Sequence, residues 1–336
     1  MRHTAAKAFA AVAMTAALTA IAVPAMADPA TGTVPATTDI VGSGSDTTQA
    51  LLNQFSVDYN ATVSGTPKLY SWDATGSTKI TPKSGAAEID RPNGSGAGIA
   101  ALNAANSPFD YARSSRGPQT GDLPSNLFVA FGKDAVTWSA KSGGHAPTNL
   151  TTQNLYDIYS CAVNKTNWSN FGGTSGTIKP YLPQINSGTR AFFLKAIGNP
   201  VLGPCVVTGP QENEGTDTLL NDPDVIFPYS VGHWVGQANG HVTSVDDKGS
   251  LTLRSVNGVA PLTTAGTLNP TFANPIYGRV LYNVVREADW NDTGVKGTAL
   301  RALFGSTGYL CTDAGKATTV SYGYLAPAAC GSTIHI

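Results

Sequence analysis

Three short stretches place hydroxyls and glycines where a strand hands over to a helix: GSGSDTTQ (42–49), RPNGSGAG (91–98) and INSGTR (185–190). The first turn of a helix has unpaired N–H groups and a partial positive charge, and glycine lets a ligand approach the backbone closely. Serine and threonine add hydroxyl donors. One such turn is ordinary capping chemistry. Three of the same kind can converge on one small oxyanion at the carboxyl edge of a sheet. The chemistry they suit is anion capture by uncharged donors, with no bond made or broken.

Other chemistries fit the residues less well. A serine hydrolase needs a G-x-S-x-G elbow, and GSGAG sets glycine where the nucleophile belongs. No G-x₄-G-K-[ST] phosphate loop occurs, and GSGSDT lacks the third glycine of a dinucleotide fingerprint. His145, His233 and His241 have no marked nucleophile or orienting carboxylate, so each reads as a surface or loop histidine. The acidic run QENEGTD (211–217) reads as a solvated helix start, and the pairs Phe192-Phe193 and His233-Trp234 read as packing. No cysteine pair has C-x₂₋₄-C spacing and the histidines are scattered, which gives no metal centre. No cofactor is implied.

The elements that must position these turns alternate along the chain. DIVG (39–42), KLYSWDA near Tyr70, FDYAR (109–113) and LFVAFGKDAVTWSA (127–140) have strand character. Helical spacing joins Leu51, Leu52, Phe55 and Tyr59, then Ile99 and Leu102, Leu155 and Ile158, and Phe192, Phe193 and Ile197. NPIYGRVLYNVVREA (274–288) and KGTALRALF (296–304) read as two further helices. Such alternation predicts an α/β chain with a largely parallel sheet. Residues 240–267 and 313–336 resist assignment.

Arg2 and Lys7 precede an apolar stretch over 8–23, and Ala25-Met26-Ala27 fits a small-x-small cleavage site. A secretory signal peptide over 1–27 is expected, cut near Ala27, with a loose leader over 28–38. The signal region has no lipid-anchor cysteine, and no other stretch is apolar enough for stable membrane insertion. The expectation is a secreted protein, extracellular or in the cell wall. The full chain has a formal charge of −1, which becomes −3 without Arg2 and Lys7, so no footprint for nucleic acid is present. Four cysteines in an exported chain imply two disulfides. Three pairings are open; Cys161–Cys205 and Cys311–Cys330, each closing a local loop, are preferred.

The order of motifs resembles the phosphate-binding proteins of ABC phosphate importers, with the type II periplasmic-binding-protein fold, and an exported actinobacterial branch in particular. GSGSDTTQ, RPNGSGAG, DYARSSRGP, LYDIYS followed by TNW, NSGTRAFFLKAIG, QENEGT and FPYSVGHWVGQANG follow one another in the family order. The resemblance implies two α/β lobes with a ligand cleft between them and two hinge crossovers, near 128–134 and 227–234. Lobe 1 would span 39–130 and 229–336, including a disulfide-closed C-terminal segment, and lobe 2 would span 131–228. It nominates Ser45, Asp46, Thr47, Ser95, Gly96, Ser114, Ser115, Ser187, Gly188 and Thr189 as ligand-binding, with Arg190 beside them.

Two departures from the family pattern stand out. Ser115 occupies the place of the family's proton-accepting aspartate, and Pro183 that of an arginine four residues before Ser187. Asp46 is the candidate for a relocated acceptor, and Arg113, Arg116 or Arg190 for a relocated cation. The alternatives are a helix N-cap at Asp46 and surface ion pairs at Arg113 and Arg116. The expected function is a monomeric, non-enzymatic solute-binding protein that closes on inorganic phosphate or a related oxyanion, with an ABC permease as partner. A secreted hydrolase acting on phosphate esters and a wall or matrix protein are the competing readings.

Overall fold

The computed structural model describes residues 28–29, 32–65 and 67–336. The expected signal peptide lies outside the described residues. In chain order the strands are β1 (Ile40–Gly44), β2 (Leu69–Ser71), β3 (Lys79–Ile80), β4 (Ile89–Asp90), β5 (Tyr111–Ser114), β6 (Asn126–Lys141) and β7 (Asn149–Leu150). They continue as β8 (Lys179–Leu182), β9 (Val207–Thr208), β10 (Val225–Ser230), β11 (Leu251–Leu253), β12 (Ser255–Val256), β13 (Gly278–Arg286) and β14 (Thr333–Ile334). The helices are α1 (Gln49–Thr62), α2 (Ser95–Leu102), α3 (Thr152–Tyr159), α4 (Gly188–Ala196), α5 (Val231–Ala238), α6 (Glu287–Asn291), α7 (Val295–Phe304) and α8 (Asp313–Ser321).

One sheet runs in the order β2-β1-β5-β13-β6-β10-β8-β9, with β11 and β14 also paired to β6. Its flanks are parallel, at β2-β1-β5 on one side and β10-β8-β9 on the other. The centre is antiparallel, because β6 and β13 run against their neighbours. The expected largely parallel sheet is therefore mixed.

β6 is the spine of the molecule. Its first half pairs with β13 and β14, and its second half with β10 and β11. Apolar packing divides accordingly. Leu51, Leu52, Phe55, Leu127, Phe131, Leu281 and Leu300 belong to one cluster, and Val41, Ile99, Phe128 and Val284 to a second beside it. Beyond Ala135, Val136, Trp138, Leu155, Tyr159, Trp168 and Phe193 form a separate core. These are the cores of two lobes joined through β6.

The chain returns to the first lobe later than expected. Val231, Val256, Phe272 and Tyr277 all pack in the second core, and β11 and β12 pair with β6 and β7. Residues 229–277 therefore stay with lobe 2, and the second crossover is the start of β13 rather than 227–234. The helix expected over 274–288 is β13 itself, followed by α6. Leu281 and Val285 face one cluster and Tyr282 and Val284 the other, so both faces are covered and the sequence shows a continuous apolar run. The remaining expected helices form. The disulfides are Cys161–Cys205 and Cys311–Cys330. The leader is tied down at Asp28, whose carboxylate accepts two bonds from Arg91, at 2.6 and 2.8 Å.

Candidate functional site

β1 delivers the first turn. Gly44 has φ 129°, a conformation only glycine adopts readily, and it packs against the backbone of Arg113. The Ser45 N–H then donates to the Arg113 carbonyl at 3.0 Å, which fixes the turn against β5. The Ser45 hydroxyl donates to Ser115 Oγ at 3.0 Å, and Ser95 Oγ lies 3.3 Å from the same atom. The Ser115 N–H donates to Ser95 Oγ at 3.0 Å. Three hydroxyls from three separate turns of lobe 1 thus meet at one buried point.

Lobe 2 closes on that point through the start of α4. Ser187 caps the helix, its Oγ accepting from the Arg190 N–H at 3.0 Å. Gly188 has no room for a side chain, because a Cβ there would collide with the hydroxyls of Ser95 and Ser115. Thr189 Oγ1 lies 3.2 Å from Thr47 Oγ1 of the first turn. The Gly96 N–H donates to the Asn186 carbonyl at 3.3 Å, a further contact between lobes. Ser114 is buried but turns away, donating to the Arg116 carbonyl at 2.8 Å.

The charged groups differ from those expected. Arg190 donates to the Pro183 carbonyl and to Thr208, and Arg116 makes a two-pronged pair with Asp122. Arg113 is fully buried beneath the first turn, bonded to the Ser45 carbonyl, Ser71 and the Trp72 carbonyl; burial lowers its pKa. The cation that reaches the hydroxyls is Arg279 of β13. Its Nη2 donates to Thr189 Oγ1 at 3.0 Å and approaches Thr47 Oγ1 at 3.4 Å. Asp134 of β6 holds it, accepting from Nε and Nη2 at 3.0 and 2.8 Å, and also from Ser230 Oγ and the Gly232 N–H. Arg279 Nη1 is buried without a hydrogen-bond partner.

Asp46 and Glu212 are also buried. Asp46 accepts from Asn213 Nδ2 at 2.8 Å and Gln211 Nε2 at 3.2 Å, and its side chain caps no helix. Burial first, then the negative charges of Glu212 and Asp246, push its carboxyl well up against the pull of His233 and the Asn213 bond, which holds it toward the neutral form. Glu212, read from the sequence as part of a solvated run, is fully buried. Its Oε2 accepts from the Ser187 hydroxyl and, at 3.3 Å, from the Thr189 N–H, while Oε1 has no partner.

His233 is likewise buried, on α5, where a surface or loop histidine was expected. Nδ1 lies 2.8 Å from the Thr47 carbonyl and Nε2 2.6 Å from Asp246 Oδ1. Both partners are acceptors, so the ring carries both protons. Burial pulls its pKa down, but the Asp246 charge and hydrogen bond outweigh that and the value rises to about 9. Elsewhere, His145 pairs with Asp224 and His241 stacks on Tyr322.

A PBP superfamily domain matches residues 28–297. The chain belongs to the PBP superfamily. Solved structures share the superfamily's architecture with it. An ABC-type phosphate transport receptor from Vibrio cholerae superposes with a TM-score of 0.58 at 20% identity, over 86% of this chain and 100% of the receptor. A protein from Clostridium perfringens, assigned as a phosphate ABC transporter substrate-binding protein and solved with bound phosphate, gives 0.62 at 16% identity, over 86% and 99%. A phosphate-binding protein from Stenotrophomonas maltophilia gives 0.52 at 12%, over 87% and 91%. No curated protein matches. As a PBP superfamily member the chain has the type II periplasmic-binding-protein-like fold, with the hydroxyl cluster between its two lobes.

Proposed function

We propose that this protein is an exported solute-binding protein whose lobes close by hinge motion on inorganic phosphate. The observation that carries the reading is the meeting of Ser45, Ser95 and Ser115 from lobe 1 with Thr189 and the α4 N-terminus from lobe 2, flanked by Arg279. A bound anion would exchange the contacts that these hydroxyls make with one another for contacts with itself. Two of the similar structures are named for ABC phosphate transport, which supports an ABC permease as the partner. Both ring nitrogens of His233 are engaged, so it has no free lone pair to activate a serine, which favours binding over catalysis.

The replaced family residues find substitutes in this reading. Arg279 supplies the positive charge lost at Pro183. Glu212, bonded to two of the groups that hold the anion, replaces the proton acceptor lost at Ser115, and Asp46 sits behind it. A carboxylate with a free oxygen accepts a bond from a protonated oxyanion and repels a fully deprotonated one.

The test is calorimetry and thermal unfolding with phosphate, sulfate and molybdate, after removal of carried-over anion. A ligand that binds only the folded state raises its stability. Saturable stabilisation by phosphate over sulfate is expected. Glu212→Gln should narrow that preference by roughly ten- to a hundredfold, the range of one charged hydrogen bond. Absence of stabilisation by any oxyanion would refute phosphate binding.

A further inference from the structure

We propose that the cleft takes phosphate as its monoanion, so that above neutral pH each phosphate is bound together with one proton, and that Glu212 sets this choice. The inference rests on the phosphate reading above and deepens it to the charge of the ligand. It follows from the charges around the turns, most of which are already matched. Arg279 has Asp134 at 2.8 Å, and both side chains are nearly sealed from solvent. His233 has Asp246 at 2.6 Å. The Arg113 guanidinium is engaged by the Ser45 and Trp72 carbonyls and Ser71, with the charge of Asp73 nearby. Arg190 and Arg116 turn to the Pro183 carbonyl and to Asp122. Burial keeps Tyr229 and Tyr324 neutral, and burial together with the Glu212 charge pushes Asp46 toward its neutral form.

Glu212 is the exception. It is fully buried, and its hydrogen bonds come from two uncharged groups, the Ser187 hydroxyl and the Thr189 N–H. Those are donors that the start of α4 offers to an anion, so the ligand arrives beside a negative charge. Like charges repel strongly where water is excluded, and the repulsion doubles for a dianion. Hydrogen-bonding capacity points the same way. Glu212 Oε1 and Asn213 Oδ1 are buried acceptors without a donor, and Asn213 holds Asp46 through its Nδ2. Dihydrogen phosphate brings two hydroxyl donors to such surroundings, whereas the dianion brings one and a second charge. Where the dianion prevails in solution, the missing proton comes from the solvent as the lobes close.

The experiment is calorimetric titration of the disulfide-bonded protein with inorganic phosphate at pH 6 and pH 8, each in two buffers of different ionisation enthalpy, which reports the protons taken up per phosphate bound. At pH 8 free phosphate is mostly the dianion. Wild type should take up more than half a proton per phosphate there and bind at least fivefold more weakly than at pH 6. Glu212→Gln keeps an acceptor for Ser187 and removes the charge, so it should take up less than half a proton and bind within threefold at the two pH values. Glu214, raised to about 7, and His233, raised to about 9, are common to both proteins and cancel in the comparison. Uptake below half a proton in wild type would overturn the inference and leave the phosphate reading standing, and that measurement decides by itself if the variant does not fold. Wild-type uptake in a folded Glu212→Gln variant would overturn the role of Glu212. Absence of binding at both pH values would remove the phosphate reading and this inference together.

Discussion

At the scale of single residues, the hydroxyls were legible and the charges were not. Ser45, Ser95, Ser187 and Thr189 sit in turns whose chemistry is local, so glycine spacing and the following apolar pattern are enough to mark them. Glu212 and Arg279 become special only through burial and through partners distant in sequence; Arg279 and Asp134 are 145 positions apart. The ion pair between those two is nearly sealed from solvent. Removing one member of such a pair leaves the other charged and unsolvated, at a cost of about 3–5 kcal/mol. Arg279→Met should therefore lower the unfolding free energy by about that amount and abolish phosphate binding, as read by denaturant titration and calorimetry. The double variant Arg279→Met, Asp134→Leu should recover much of the stability but none of the binding. A double variant as unstable as the single one would show that the pair's desolvation is not what the single change exposes.

At the scale of elements, the three glycine-serine turns read correctly as leading into helices, α1, α2 and α4, although only Ser187 caps its helix through a side-chain hydroxyl. β13 did not, since a strand covered on both faces loses the alternation that distinguishes it from a helix. The lobe boundary moved with it: Val231, Val256, Phe272 and Tyr277, which precede the strand 278–286, pack in the second core. The approach of α4 to lobe 1 depends on Gly188, which lies directly over Ser95 and Ser115. Gly188→Ala should hold the lobes apart there. Ala is a better helix former than Gly, so the variant should unfold within about 1 kcal/mol of wild type while binding phosphate at least tenfold more weakly. Wild-type affinity in this variant would mean that α4 does not close on the serines.

At the scale of the whole molecule, a buried cation spans the two lobes. His233, on the lobe 2 helix α5, bonds to the Thr47 carbonyl of lobe 1 and to Asp246, and the Tyr324 hydroxyl donates to the same Thr47 carbonyl. Its pKa rises from 6.5 unfolded to about 9 folded. The stabilisation is thus complete below about pH 6.5 and is lost as pH climbs through 9, on the order of 3 kcal/mol in all. Glu214, whose carboxyl burial and neighbouring acids raise to about 7, weakens the fold over a lower range as pH rises from 4.5. Unfolding midpoints between pH 7.5 and 9.5 should fall in wild type and stay flat in His233→Gln. An equal slope in both would assign the loss to another group.

The two disulfides have a mechanical consequence. Cys311 and Cys330 lie within the first lobe's core, and Cys161–Cys205 staples the loop after α3 beside the second. Neither crosses from one lobe to the other. A covalent link within a lobe restricts its unfolded chain without restraining rotation about a joint elsewhere. On the proposed hinge motion, oxidation would therefore stiffen the two jaws and leave the gape between them free of any disulfide, so that the bite would stay reversible where the thiols are oxidised.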